Sequence, residues 1–435
     1  MNKVKVIAVA LAVVAVLAVL RFMPGPKAGS GDGSFVLEPV KFVYKADGPP
    51  GAAATVHGKT VSEQDLQDRS PALFDLTLQE IKMLAEAAVK LSAGKTKAGV
   101  ELFAADRNGA LKAALDKLKL PLNVTLSPKP PAGRVALLDG NPLTREQLNL
   151  NQVQYSLIKT RQFREKLAVL REIAVRQLLF ESAKAQGLDL EKFIKEKVMK
   201  DATVTETEVA EFAAKNGIAL GKNDDETRNR LHQAVYELKQ KTAIDEYARR
   251  NYDEKAEIHF SPPSYVFPVN ENKMIVSQDN PGATTVLVFS NLECSACVGL
   301  ARDLIALKKK HRKDIRVGFV SFFGAGDYRS PLLAEASHCV NSQKHEYFWK
   351  FFESVAALPK PPDETAINEA VKSSGAEYDA FRGCLQNRRY KDEVAGQLKY
   401  ASDFGVLIQP TVIVGSQVIA GSVRAADLEL AGIGN

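Results

Sequence analysis

Cys294-Ser295-Ala296-Cys297 is the part of the chain whose residue types and spacing could do chemistry. Two cysteines separated by two residues at a helix start can close a small disulfide. The first sulfur then lies near the helix N-terminus, where unpaired N–H groups and the dipole favour the thiolate, the reactive form. The spacing therefore points to thiol–disulfide exchange. Two other readings stay open on the pair alone. Half of a zinc site looks the same, but zinc needs two more ligands. Cys339 and Cys384 do not make a second such pair, and no His-x₃₋₅-His occurs. A purely structural disulfide would close so short a loop that it restrains little chain entropy.

The elements that must position the pair are legible on both sides. Thr284-Thr-Val-Leu-Val-Phe-Ser290 is apolar and β-branched enough for a strand covered on both faces. Val298 to Lys310 carries Val298, Leu300, Ala301, Leu304, Ile305 and Leu307 at helical spacing. Further on, Gly405-Val-Leu-Ile-Gln-Pro410-Thr-Val-Ile-Val-Gly415 and Gln417-Val-Ile-Ala-Gly-Ser422 predict a β-hairpin. A proline at the mouth of a strand is an edge device or a cis-proline. Helices are expected over Pro331 to Gln343, His345 to Leu358, Asp363 to Ser373 and Tyr390 to Phe404.

In this order, residues 263–435 resemble a DsbA-like thioredoxin domain with a helical insertion. The resemblance places Cys294 and Cys297 at the redox pair, with Pro410 as the cis-proline against the sulfurs. It also places Gln409 and Thr411 on the substrate groove. Cys339 and Cys384 lie in the insertion, where relatives carry a cysteine pair, so a second, structural disulfide is implied; two buried free thiols are the alternative. Three departures matter. Ser-Ala stands between the cysteines where strongly oxidising members have Pro-His. Val288 stands where many thioredoxin-fold enzymes have a buried acid. Gln409 precedes the proline where Thr or Val is common. Glu293 sits beside Cys294, where a carboxylate held close would oppose the thiolate; the reading taken is the other one, a solvated side chain pointing away.

At the other end, Lys3 and Lys5 precede an unbroken Val, Ala, Leu and Ile run, Val6 to Leu20. A short basic segment before an apolar core is the layout of an export signal. With no small-x-small cleavage site after Leu20, residues 1–24 are read as a signal anchor, with a cleaved signal as the alternative, and 25–52 as a flexible linker. Export to an oxidising compartment suits four cysteines. The net charge of +6 is spread over Lys-rich helices without a basic stripe interleaved with aromatics, so nucleic acid is not expected as a partner.

Between linker and thioredoxin-like region lies a repeat. Thr55-Val-His-Gly-Lys-Thr-Val-Ser-Glu-Gln-Asp-Leu66 recurs as Ala136-Leu-Leu-Asp-Gly-Asn-Pro-Leu-Thr-Arg-Glu-Gln-Leu148. Each closes on a similar strand, Asn123 to Ser127 and Glu257 to Ser261, before prolines. Two modules, 53–131 and 132–262, are inferred, each with its first and last strands paired. A long amphipathic helix is expected over Gln162 to Gln186, a capping box at Thr205-Glu-Thr-Glu208, and a last helix over Glu226 to Tyr252. The pattern resembles the N-terminal helical region of SurA-like periplasmic chaperones, without their isomerase domain.

The reading is thus an α/β thioredoxin-like C-terminal region behind mostly α-helical modules with short strands. It implies a periplasmic thiol–disulfide oxidoreductase, tethered to the inner membrane and needing no cofactor. Its partners would be cysteine-containing unfolded or misfolded exported proteins and a quinone-linked membrane oxidase or reductase, with homo-oligomerisation as a further role for the modules. The alternative is a SurA-like holdase with a redox-passive thioredoxin domain.

Overall fold

The structure, a computed structural model, describes residues 27–28, 34–49, 51–92, 98–106, 109–127, 133–200, 202–218, 225–277, 283–311, 314–324, 326–327, 329–358 and 361–433. The expected anchor, residues 1–24, lies outside them. Among the described residues no helix is long and apolar enough to cross a membrane.

The chain divides into two compact units. One comprises the residues up to Arg69 and Lys166–Phe260. Its sheet holds β1 (Lys27–Ala28), β2 (Ser34–Leu37), β3 (Val40–Tyr44), β4 (Ala52–Val56), β5 (Lys59–Ser62) and β10 (Lys255–Ile258), in the order β1-β2-β3-β10-β4-β5. Within the stretch expected as a linker, 25–52, the described residues include the strands β1, β2 and β3. Val40 and Phe42 alternate with Lys41 and face inward fully buried, which a free tether would not afford. Around this sheet are α1 (Glu63–Arg69), the second half of α4 (Gln152–Ala185), α5 (Leu190–Phe193), α6 (Glu206–Lys215) and α7 (Asp225–Asn251). Thr205 and Glu208 form the expected capping box on α6. The apolar faces of α6 and α7 meet through Val209, Ala213, Leu231 and Val235, so that stripe is core.

The other unit comprises Ser70–Glu165 and Ser261–Asn435. Its first part is α2 (Pro71–Leu91), β6 (Ala98–Phe103), α3 (Ala110–Asp116), β7 (Leu122–Ser127), β8 (Ala136–Leu138) and β9 (Asn141–Leu143), with a sheet ordered β7-β6-β8-β9. The two modules do not close separately as expected. β7 pairs parallel with β6 across α3 and forms the edge of that sheet. β8 pairs with β6 rather than with β10, and β10 lies between β3 and β4.

The second part holds β11 (Ile275–Val276), β12 (Thr284–Ser290), β13 (Ile315–Ser321), β14 (Thr411–Val414) and β15 (Gln417–Ala420). The strand order is β11-β13-β12-β14-β15; β12 and β13 run parallel, and the Pro410 hairpin joins antiparallel. The helices are α8 (Ser295–Lys310), α9 (Ser330–Asn341), α10 (His345–Ala356), α11 (Glu364–Ser374), α12 (Tyr378–Gln386), α13 (Lys391–Phe404) and α14 (Ala425–Leu430). Along β12, Val286 and Val288 enter one core with Leu300, Leu304, Phe348 and Phe352. Leu287 and Phe289 enter a second core on the opposite face.

That second core corrects the boundary expected at residue 263. Val153 and Leu157, from the first half of α4, pack there with Phe289, Val320, Ala401, Ile413 and Val418. The Thr160 hydroxyl accepts the Val418 N–H at 3.1 Å, and the Asn151 amide donates to the Gly405 carbonyl at 3.1 Å. A sheet apolar on both faces needs a cover on both. Here an upstream helix supplies part of one.

Candidate active site

Strand register brings three loops to one end of the sheet. Ser290 on β12 pairs with Ser321 on parallel β13, and Phe289 pairs with Thr411 on antiparallel β14. The turn after Ser290, the loop after Ser321 and the loop before Thr411 therefore converge. The first carries Cys294, the second Asp327 and Arg329, the third Gln409 and Pro410.

Cys294 takes the N-cap position of α8, with extended backbone angles. Its sulfur accepts the Cys297 N–H at 3.1 Å, as a serine or aspartate oxygen does at other helix starts. Cys294 is half-buried; Cys297, bonded to it, is only 1% exposed. An attacking group thus meets Cys294 first. Val288 is buried in the apolar core, so no acid lies at that position.

The Glu293 side chain is not solvated, in correction of the sequence reading. Its carboxylate accepts from the Arg329 guanidinium at 2.9 Å and the Ser330 hydroxyl at 2.7 Å. A cation held on this carboxylate offsets the repulsion it would exert on a neighbouring thiolate.

The Gln409–Pro410 peptide is cis, and Pro410 is buried with its carbonyl accepting the Gly421 N–H at 2.9 Å. Gln409 is half-buried, and its side chain turns inward, bonding Asn291 and Asp327. Thr411, expected on the groove, lies inside the sheet at 1% exposure, and its hydroxyl donates to the Ile408 carbonyl. The exposed apolar groups of this loop are Leu407 and Ile408, 69% and 40% exposed. Sequence reasoning missed Asn291, three residues before Cys294 in the same turn, and also Asp327 and Arg329, which only the convergence of loops brings to it.

Cys339 on α9 and Cys384 on α12 are joined in a disulfide. Beside it Arg388 grips Glu335, whose side chain is 1% exposed, through bonds of 2.6–2.9 Å.

No curated protein matches the chain. Among solved structures it is similar to oxidised BdbD from Bacillus subtilis, with 20% identity over 40% of this chain and 100% of that one, at a TM-score of 0.34. It is also similar to DsbA from Chlamydia trachomatis, with 20% identity, 39% and 93% coverage and a TM-score of 0.32. A third is the thiol-disulfide exchange protein alpha-DsbA2 from Wolbachia pipientis, with 18% identity, 35% and 82% coverage and a TM-score of 0.32. The family model described as thioredoxin matches residues 270–431, leaving residues 53–262 outside it. With its sheet order and its cysteine-capped helix, the C-terminal region of the chain is a thioredoxin-like domain.

Proposed function

We propose that the chain is an exported thiol–disulfide oxidoreductase acting on cysteines of other exported proteins through Cys294 and Cys297. The observation that carries this reading is the half-buried Cys294 at the N-cap of α8, bonded to Cys297, which is 1% exposed. A helix N-terminus stabilises the thiolate that leaves when the bond is broken.

In the oxidising direction a client thiolate attacks the Cys294 sulfur. The Cys294–Cys297 bond breaks, its electron pair stays on Cys297, and a client–Cys294 mixed disulfide forms. A second client thiolate attacks the client sulfur of that bond, and the electron pair leaves on Cys294. The client gains a disulfide, and the protein, two electrons richer, takes up two protons as a dithiol. In the reverse direction the Cys294 thiolate attacks a client disulfide and Cys297 resolves the adduct. The potential of the couple against its partner sets the direction.

Pro410 adjoins this site without an N–H, and exposed Leu407 and Ile408 offer apolar surface to a client segment. The basic and apolar N-terminal sequence and the two disulfides support an exported, periplasmic setting, and a membrane redox partner would reset the couple there. The modules upstream would serve client holding or oligomerisation.

The test is reduction of insulin and refolding of a reduced, scrambled substrate. Cys294→Ser is expected to abolish both. Unchanged activity in that variant overturns the proposal.

A further inference from the structure

The polar groups behind Cys294 form one directed chain. The buried Asn291 side chain accepts, through Oδ1, the backbone N–H of Glu293 at 2.8 Å and of Cys294 at 2.9 Å. Its Nδ2 donates to Gln409 Oε1 at 3.2 Å. Gln409 Nε2 donates to Asp327 Oδ2 at 3.1 Å, and that oxygen also accepts the Gly324 N–H at 2.8 Å. Two N–H groups at one end can only donate, and an ionised carboxylate at the other can only accept. The orientation of both amides between them is thereby fixed: flipping either sets donor against donor or acceptor against acceptor.

We propose that Asn291, Gln409 and Asp327 are positioning residues that hold the Cys294 turn so that the Cys297 N–H stays aimed at the Cys294 sulfur. The inference rests on the exchange reading of this site. With Asn291 occupying the N–H groups of residues 293 and 294, the sulfur is left to the donor at the start of α8, 3.1 Å away. That donor and the helix dipole stabilise a thiolate only while the geometry holds. Asn291 is 5% exposed, so loss of the Gln409 acceptor strands its Nδ2 away from water. The amide then turns to find a partner and releases the two N–H groups. Bonds in such a chain polarise one another, so a break at Asp327 weakens the far end as well. Val at position 409 offers neither the donor nor the acceptor.

The test is the pH profile of Cys294 alkylation by iodoacetamide in the reduced, full-length chain, read by mass spectrometry of the Cys294 peptide. In Gln409→Val and Asp327→Ala the rate near neutral pH is expected to fall on the order of threefold, with the midpoint moved upward. Asp327→Asn keeps an acceptor oxygen for Gln409 and is expected to keep the wild-type profile. A Gln409→Val profile identical to wild type, with only the melting temperature changed, overturns the proposal in favour of a purely structural role. So does an Asp327→Asn shift as large as that of Asp327→Ala, which would mean that charge acts directly. If the wild-type thiol itself reacts no faster than a free model thiol, the exchange reading fails instead.

Discussion

Removing the Cys339–Cys384 bridge should cost stability and leave exchange intact. The bond closes a loop with a sequence separation of 45. The chain-entropy relation for a loop of that length gives about 4 kcal/mol at 25 °C. For the Cys294–Cys297 bond, with a separation of 3, the same relation gives about half as much. At about 2–4 °C per kcal/mol for a domain of 150–250 residues, Cys339→Ala with Cys384→Ala should lower the melting temperature by about 8–16 °C. The Arg388–Glu335 pair ties the same two segments, from α9 to the residues just past α12, so the double variant still folds at room temperature. Circular dichroism melting, with both proteins oxidised at the remaining pair, measures the shift. Insulin reduction at about 25 °C should then stay within about twofold of wild type, because neither sulfur takes part in the exchange. Melting within about 3 °C of wild type would refute the loop argument. Loss of exchange in a folded double variant would refute the structural role.

Other outcomes follow from the same packing. Leu157→Ala empties a place under β12 and β14 and should cost about 2–5 kcal/mol, read by urea unfolding of the full chain. An effect under about 1 kcal/mol would mean that α4 does not cover the sheet. Glu80 on α2 keeps 12% of its side chain exposed; its desolvation pushes the carboxyl up, but the Lys159 charge and bonds from Gln162, Lys159 and Tyr155 outweigh this and hold it below the ordinary 4.5. A depressed carboxyl contributes stability above its unfolded-state value and loses it as pH falls through its folded value. The stability advantage of wild type over Glu80→Gln should therefore narrow as pH is lowered from about 7 to below 4, and a constant gap contradicts the argument.

The local signals in the sequence were sufficient where an element is specified by its own residues. The cysteine-capped α8, the strand filled on both faces, the proline-led hairpin and the Thr205 cap were all readable, because spacing and capping act within a few positions. The helix α12 was missed; Tyr378–Gln386 is short, and only Phe381 in it is fully buried. The sequence reading starts this helix, α4, at Gln162, ten residues late, because the apolar groups of Gln152 to Arg161 divide between two cores, Val153 and Leu157 in one and Tyr155 in the other, rather than lining one face. The pairing of the closing strands is not legible either: β7 and β10 look alike in sequence, yet β7 pairs parallel with β6 while β10 inserts between β3 and β4. At the site, Gln409 was singled out but assigned to a groove. Its true partners, Asn291 and Asp327, lie 118 and 82 residues away in the chain, and no spacing rule connects them.

The account stands most directly on which sulfur reacts. In Cys297→Ala the Cys294 thiolate is left without its resolving partner, so a peptide disulfide offered to it should yield a lasting mixed disulfide on Cys294, released by reductant and absent in Cys294→Ala. If no adduct forms, or if Cys297 captures the peptide as fast in Cys294→Ala, the assignment of Cys294 as the exchanging thiol is wrong.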